Sequence, residues 1–203
     1  MCLGDAIERI EAGKSFGSSN RPALEGEWGI IKVSAMTYGT FRADENKALP
    51  PGVAYSSQFE IRPGDLLISR ANTRDYVGAS VLVGECPPRL LLSDKSLRLR
   101  PRSGLDSRWL WYALLQPASR AYMSNASTGT KSGMRNISQQ MIRELPLLVP
   151  PIDEQRRIVD ILEDHISRLD AAATYLESAG ARQVRLVDRN HSGPSRRGLL
   201  ILG

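Results

Sequence analysis

Apolar positions along the chain follow two rhythms. Over roughly the first hundred residues they come in short bursts of three to six, separated by turn signals, as strands do. Gly29-Ile30-Ile31-Lys32-Val33-Ser34 alternates loosely and predicts a strand. Arg62-Pro63-Gly64-Asp65 reads as a turn, followed by a buried strand at Leu66–Ile68. Ala79–Val83, Leu90–Leu92 and Leu97–Leu99 predict three more strands. In the last of these, Leu97 and Leu99 share one face while Arg98, Arg100 and Arg102 share the other, which reads as a wet sheet face. Ahead of the strands, Asp5 and Glu8 have the spacing of a capping box for a short helix Ala6–Ala12.

Beyond residue 100 the rhythm becomes helical. Asp106 or Ser107 is placed to cap a helix Arg108–Leu115, which Pro117 interrupts. A further turn or two follows at Ser119–Met123, and Ser138 is placed to cap a short helix into Met141. Leu145–Val149 is a strand-like run that meets Pro150-Pro151, a stiff hinge without backbone N–H groups. Asp153 can accept from the first free N–H groups of the long helix that follows, and Glu154 suits its positive end. There Ile158, Leu162, Ile166, Leu169, Ala173 and Leu176 repeat at three and four residues, one apolar stripe along about five turns. Such a stripe either folds back on its own domain or packs on another helix or chain. Strands before helices in irregular order predict a mixed, irregular α+β fold: a β-rich domain at 1–150, a long helix at 151–189, and a tail at 190–203 that frays.

Charge sharpens this division. The 203-residue chain carries a formal net charge of +5, and all of the excess lies in residues 1–150, with 19 Lys/Arg against 14 Asp/Glu. Residues 151–203 hold 8 of each. A basic globular part suits a polyanion, nucleic acid first, and a balanced striped helix suits protein contact. Two cysteines without pair or metal spacing indicate a reducing compartment. No apolar run approaches the ~18 residues of a membrane span, and the N-terminus lacks a signal-like apolar core, so the expected location is cytoplasmic.

Catalytic signals are weak. There is no phosphate-binding loop and no Gly-rich cofactor loop, and His165 and His191 lie in the helix and the tail. Glu45-Asn46-Lys47 has the Glu-x-Lys spacing of some metal-dependent nucleases, but lacks a clear partner carboxylate on a preceding strand. With no catalytic residues, metal ligands or cofactor site to name, binding is the better class. Two loops fit DNA. In the first, Arg70 offers bidentate donors for guanine or phosphate, Asn72 suits adenine, Thr73 suits phosphate, and Arg74 adds charge. The competing reading is a polar turn whose Asn72 bonds its own backbone. In the second, Thr128–Asn136, glycines allow close approach to a phosphate, and Thr130, Lys131, Arg135 and Asn136 supply polar and charged groups. Lys32 and Tyr38, on the strand and turn from Gly29, complete the candidate DNA-binding set.

Four ordered segments resemble one family. GDLLISRANTRDYVG, TGTKSGMRNIS, WGIIKVSAMTYGTFRADENKALP and LPLLVPPIDEQRRIVDIL are similar to runs in the specificity subunits of type I restriction-modification systems. The match covers residues 3 to about 177. It includes Pro150, Pro151, Glu154, Gln155, Ile158 and Val159 at the start of the family's spacer helix, and it explains Glu45-Asn46-Lys47 without nuclease chemistry. The resemblance implies a non-catalytic subunit that reads double-stranded DNA. It would place modification subunits, which methylate adenine with S-adenosylmethionine, and would guide a restriction subunit. No cofactor belongs to this chain on that reading. The family's common form joins two recognition domains and two spacer helices, whereas one of each stands here. The expectation is therefore a half-subunit or truncated form that pairs through its stripe with a second copy or with a second specificity chain. The alternatives are a small nuclease using Glu45 and Lys47, and a protein-interaction adaptor without DNA contact.

Overall fold

A computed structural model describes residues 1–52, 55–129 and 133–191, with side chains described to residue 177. The chain divides into two compact units, Met1–Val159 and Asp160–Gly203. In the first unit, α1 (Leu3–Ala6) leads directly into β1 (Ile7–Ala12). The predicted helix Ala6–Ala12 is therefore a strand. The capping box is real but lies three residues earlier, between Cys2 and Asp5, where Asp5 Oδ2 accepts from the Cys2 N–H at 2.9 Å. Ile7, in the span read as helix, is instead fully buried in the core beneath β1's pairing with a later strand.

The strands that follow are β2 (Gly29–Ile31), β3 (Asn46–Ala48), β4 (Leu66–Ser69), β5 (Ala71–Asn72), β6 (Ser80–Leu82), β7 (Leu90–Leu91) and β8 (Ser96–Pro101). Then come α2 (Ser107–Leu115), α3 (Pro117–Ala126), β9 (Thr128–Gly129), β10 (Arg135–Asn136), α4 (Gln139–Arg143) and α5 (Ile152–His191). The caps are as expected at two helices. Asp106 Oδ1 accepts from the Arg108 and Trp109 N–H groups of α2, and Ser138 Oγ accepts from Met141 N–H in α4. α2 ends at Leu115 as expected, and after the extended Gln116, Pro117 opens α3 at its first position, where its missing N–H costs nothing. Leu145–Val149 forms no strand of its own. It runs beside the N-terminus, with Leu3 N–H donating to Leu145 O and Leu147 N–H to Met1 O.

Two layers cover an antiparallel sheet ordered β1-β8-β4-β6. One face, carrying Ile7, Leu66, Ile68, Leu97 and Leu99, packs on Trp109, Leu110, Ala113 and Leu114 of α2 and on Val159. The other face, with Leu67, Val81 and Val83, packs on Ile31, Met36, Ile61, Leu90 and Leu92 around the sheet β3-β2-β7. Every residue of β4 is consequently buried, which is why Leu66–Ile68 is an unbroken apolar run. The same covering overturns the wet arginine face. Leu97 and Leu99 do alternate with Arg98, but Arg98 is only 2% exposed. Its guanidinium donates to Asp65 Oδ2 at 2.9 Å and to the carbonyls of Glu60 and Gln58, and its Nε lies 3.0 Å from Glu11 Oε2. Arg100 joins through Asp65 Oδ1 and Glu11 Oε1, so only Arg102 of the three is exposed.

The Pro150-Pro151 hinge is locked by a side chain. Gln155, 1% exposed, accepts from the Asp106 N–H at 2.8 Å and donates to Pro150 O at 2.8 Å. The helix begins at Ile152, one residue before the expected cap, so Asp153 lies in its first turn. Val159 is buried, while Ile161, Leu162, Ile166, Leu169, Tyr175 and Leu176 are exposed. At 40 residues the helix is about 60 Å long. Among the described residues no helix is long and apolar enough to cross a membrane. The tail expected to fray, 190–203, lies outside the described residues from 192 onward.

Candidate nucleic-acid interface

The two candidate loops lie 60 residues apart in sequence and meet in one small sheet, ordered β5-β10-β9. Asn72 stands opposite Arg135, and Ala71 opposite Asn136. On the far side Arg135 pairs with Gly129 and Asn136 with Thr128. The Ile137 N–H donates to Arg70 O at 2.9 Å, extending the seam by one more bond. The backbone forces this proximity. Only the bend at Arg70 separates β4 from β5, and the β9–β10 pair adds to the edge that β5 presents.

Local chemistry sets each side chain. Asn72 Oδ1 accepts from the adjacent Thr73 N–H at 2.8 Å, a bond to its own backbone of the kind the competing reading calls for. Its Nδ2 faces Thr37 Oγ1 at 3.4 Å, which brings the Thr37-Tyr38 turn to the same patch. Tyr38, 64% exposed, meets Tyr76 edge-on with ring centroids 6.0 Å apart. Thr73 O accepts from the Tyr76 and Val77 N–H groups, so residues 73–77 form a single tight turn with Thr73 and Arg74 exposed at its tip. Among the described residues the guanidinium groups of Arg70 and Arg74 have no hydrogen-bonding or ionic partner, so both are available to an anion. Gly129 has φ +143, and a Cβ there would lie 2.7 Å from Met134 O, so β9 approaches β10 closely only with glycine.

The predicted residues differ in their availability. Arg70, Asn72, Thr73, Arg74, Asn136 and Tyr38 share the patch. Arg135 is committed in part: its Nε donates to Ser127 Oγ at 2.7 Å and its Nη2 to the Ser127 carbonyl, which ties the hairpin to the end of α3. Lys32 pairs with Glu45 at 3.3 Å instead of standing free. Thr130 and Lys131 lie outside the described residues. Sequence reading missed Thr37, Tyr76 and the α3 residues beneath the turn. Tyr76 alone gave a signal, as an aromatic within a polar loop.

Glu45 is tied into a hydrogen-bonded cluster. Hydrogen bonds from Ser34 Oγ at 2.6 Å and from Lys32 hold its carboxyl below the ordinary range, and neighbouring Asn46 is buried between Ala23 N–H and Ala43 O. Among the described residues no three His, Cys, Asp or Glu side chains gather as metal ligands.

The backbone beneath the turn is tightly set as well. Gly78 has φ +72, and a Cβ there would meet Met123 Cβ at 2.6 Å. Gly78→Ala is expected to destabilise the first unit by roughly 1–3 kcal/mol, through a left-handed backbone and a clash with α3. Urea unfolding followed by circular dichroism measures it, and a shift below about 0.5 kcal/mol would mean that α3 yields freely.

Comparison with known proteins places this architecture. The family described as Type I restriction modification DNA specificity domain matches residues 1–177. The EcoEI specificity subunit of Escherichia coli is 30% identical over 188 residues, covering 92% of this chain and 32% of that protein. The EcoKI specificity subunit of Escherichia coli K12 is 27% identical over 155 residues, covering 75% and 33%. This chain thus spans about a third of the length of the curated relatives it matches. A chain from a study of assembly and conformational transition of the type I R-M system aligns with TM-score 0.62 at 25% identity, over 92% of this chain and 42% of that one. The HsdS subunit of Thermoanaerobacter tengcongensis aligns with TM-score 0.56 at 24% identity, over 84% and 38%, and supports the fold.

Proposed function

The chain belongs to the type I restriction modification DNA specificity domain family, and on that footing we propose that it reads double-stranded DNA through the β5-β10-β9 patch. It is a recognition element and not a catalyst. Partner modification subunits supply the methyltransferase chemistry and its S-adenosylmethionine, and a restriction subunit cuts. The work is done in the cytoplasm. Residues 1–150 make up the reading domain, and the helix that follows is the spacer. One observation carries the reading: Asn72 and Asn136 lie in one paired sheet, Arg70 and the Thr73–Arg74 turn adjoin it along the chain, and Asn72 reaches Thr37 beside exposed Tyr38. Side chains on such a seam can address neighbouring base edges, while the guanidinium groups of Arg70 and Arg74 can address bases or phosphates.

The helix stripe serves pairing. Through this stripe the chain would join a second copy about a two-fold axis, or a second specificity chain. A homodimer reads two identical inverted half-sites across a fixed gap; a mixed pair reads an asymmetric site.

The test is a salt series of duplex binding, on a site selected by the parent chain from a random pool and on random sequence. Asn72→Ala is expected to cost about 1–3 kcal/mol on the selected site and little elsewhere. Lys131→Ala is expected to weaken both duplexes alike and to lower the salt slope by about one unit. Parent-like binding by both variants removes the patch from the reading.

A further inference from the structure

The Thr73–Val77 turn lies on α3, and the contacts between them close a ring. Ser124 Oγ donates to Arg74 O at 3.0 Å, and Arg120 Nη2 donates to Asp75 O at 3.0 Å. One turn later Ser127 Oγ donates to Ser124 O at 2.6 Å and accepts from Arg135 Nε at 2.7 Å. Arg135 faces Asn72 across the sheet, and Asn72 accepts from the first N–H of the turn. The path Asn72, Arg135, Ser127, Ser124, Arg74 thus returns to its start. Beneath it Met123 is buried against the site of Gly78, whose backbone leaves no room for a side chain.

We infer that Ser124 and Arg120 of α3 are positioning residues that set the height and tilt of Asn72 and the Thr73–Tyr76 turn, and thereby the sequence preference of the patch. Neither approaches DNA itself. Ser124 is bonded to a main-chain carbonyl, and Arg120 Nη1 is buried without a partner among the described residues, a cation held for its reach to Asp75 O. Charge recognition would need an exposed guanidinium, as Arg74 provides. A brace needs only correct length and a fixed root, which α3 gives to both ends of the ring. The Arg135 guanidinium, expected from sequence to grip phosphate, spends two of its donors on this ring.

This inference rests on the DNA reading proposed above, and its test has one arm that is independent of DNA. Ser124→Ala, Ser124→Thr and Arg120→Met are made in the full chain. Hydrogen exchange is followed at Tyr76 and Val77, whose N–H groups bond to Thr73 O, with the β4–β8 amides as internal reference. In Ser124→Ala the turn amides are expected to exchange roughly three- to ten-fold faster, the worth of one hydrogen bond, while the reference amides stay unchanged. The preference for the selected duplex over random sequence is expected to fall by a similar factor, with binding to random sequence kept. Ser124→Thr, which retains the hydroxyl, restores both, and Arg120→Met repeats the pattern of Ser124→Ala. Unchanged turn exchange in Ser124→Ala overturns the inference whatever happens on DNA. So does faster exchange with undiminished preference, and if Asn72→Ala still loses the selected site, the reading itself stands. A parent chain that selects no sequence overturns the reading and the inference together.

Discussion

Arg98→Met is expected to destabilise the first unit by roughly 3–5 kcal/mol, a large share of the ~5–15 kcal/mol that holds most domains folded. The methionine keeps the volume of the stem but leaves Asp65, itself 4% exposed, short of a partner. It also removes the donors to the Glu60 and Gln58 carbonyls that hold the second layer on the central sheet. Losing one member of a buried pair costs far more than the pair itself contributes, because the remaining charge stays desolvated. Arg102→Met, at an exposed position with one long bond to Ile7 O, is the control and is expected to cost less than about 1 kcal/mol. Urea unfolding of both variants measures the contrast, and Arg98→Met within about 0.5 kcal/mol of the parent would show that the cluster is idle. The cluster also carries a pH signature. Burial pushes the Glu11 carboxyl up, but hydrogen bonds from Arg100 and Arg9, with the charges of Arg100 and Arg98, outweigh it and hold the group below its ordinary 4.5. A lowered folded-state pKa means stability that is complete above the unfolded value and is lost as pH falls below it. Acid unfolding of the parent is therefore expected to steepen below about pH 4.5, and that part of the slope to be missing in Glu11→Gln.

Replacing Leu162 and Leu169 together with Asp is expected to abolish self-association in the micromolar range. Both side chains are exposed within the chain, at 37% and 69%, on a stripe shared with Ile166 and Leu176. A helix of about 60 Å leaves such a surface uncovered only at a cost that pairing removes. A fully buried leucine contributes about 1.5–3 kcal/mol, and the double variant removes four from a symmetric pair. The affinity should fall by at least ~100-fold even if burial is half complete. Sedimentation equilibrium reads the outcome directly. The variant should still bind a half-site through residues 1–150, but weakly, since the second contact no longer acts as a tethered one. A parent chain that sediments as a monomer at high micromolar concentration, with its DNA affinity intact, would end the pairing proposal.

How much of this is legible in the sequence differs from element to element. Leu66–Ile68, the Asp106 and Ser138 caps and the helix from the Pro150-Pro151 hinge follow from local rules: side-chain period, the need of free N–H groups for acceptors, and the geometry of proline. The mixed α+β class follows from the order of those elements, and the four ordered segments carried the family. At Ala6–Ala12 the local signal was misleading, since the capping-box spacing of Asp5 and Glu8 competed with an Ile7 that tertiary packing takes for the core. Arg98 shows the limit from the other side. It does alternate with Leu97 and Leu99, but a strand's period says only that two faces differ. It cannot say whether water or a second layer covers the polar one, and here the Gln58–Glu60 segment, some forty residues away, decided. The candidate interface has the same character. Arg70 to Arg74 and Thr128 to Asn136 could be named separately as polar loops. That they form one surface depends on β5 pairing with β10 across more than sixty residues, and that Arg135 and Ser124 brace it depends on where α3 comes to rest. Local sequence determines backbone preference and which side chains share a face; contacts between distant segments are set by the packing of whole layers, and only the folded chain contains that information.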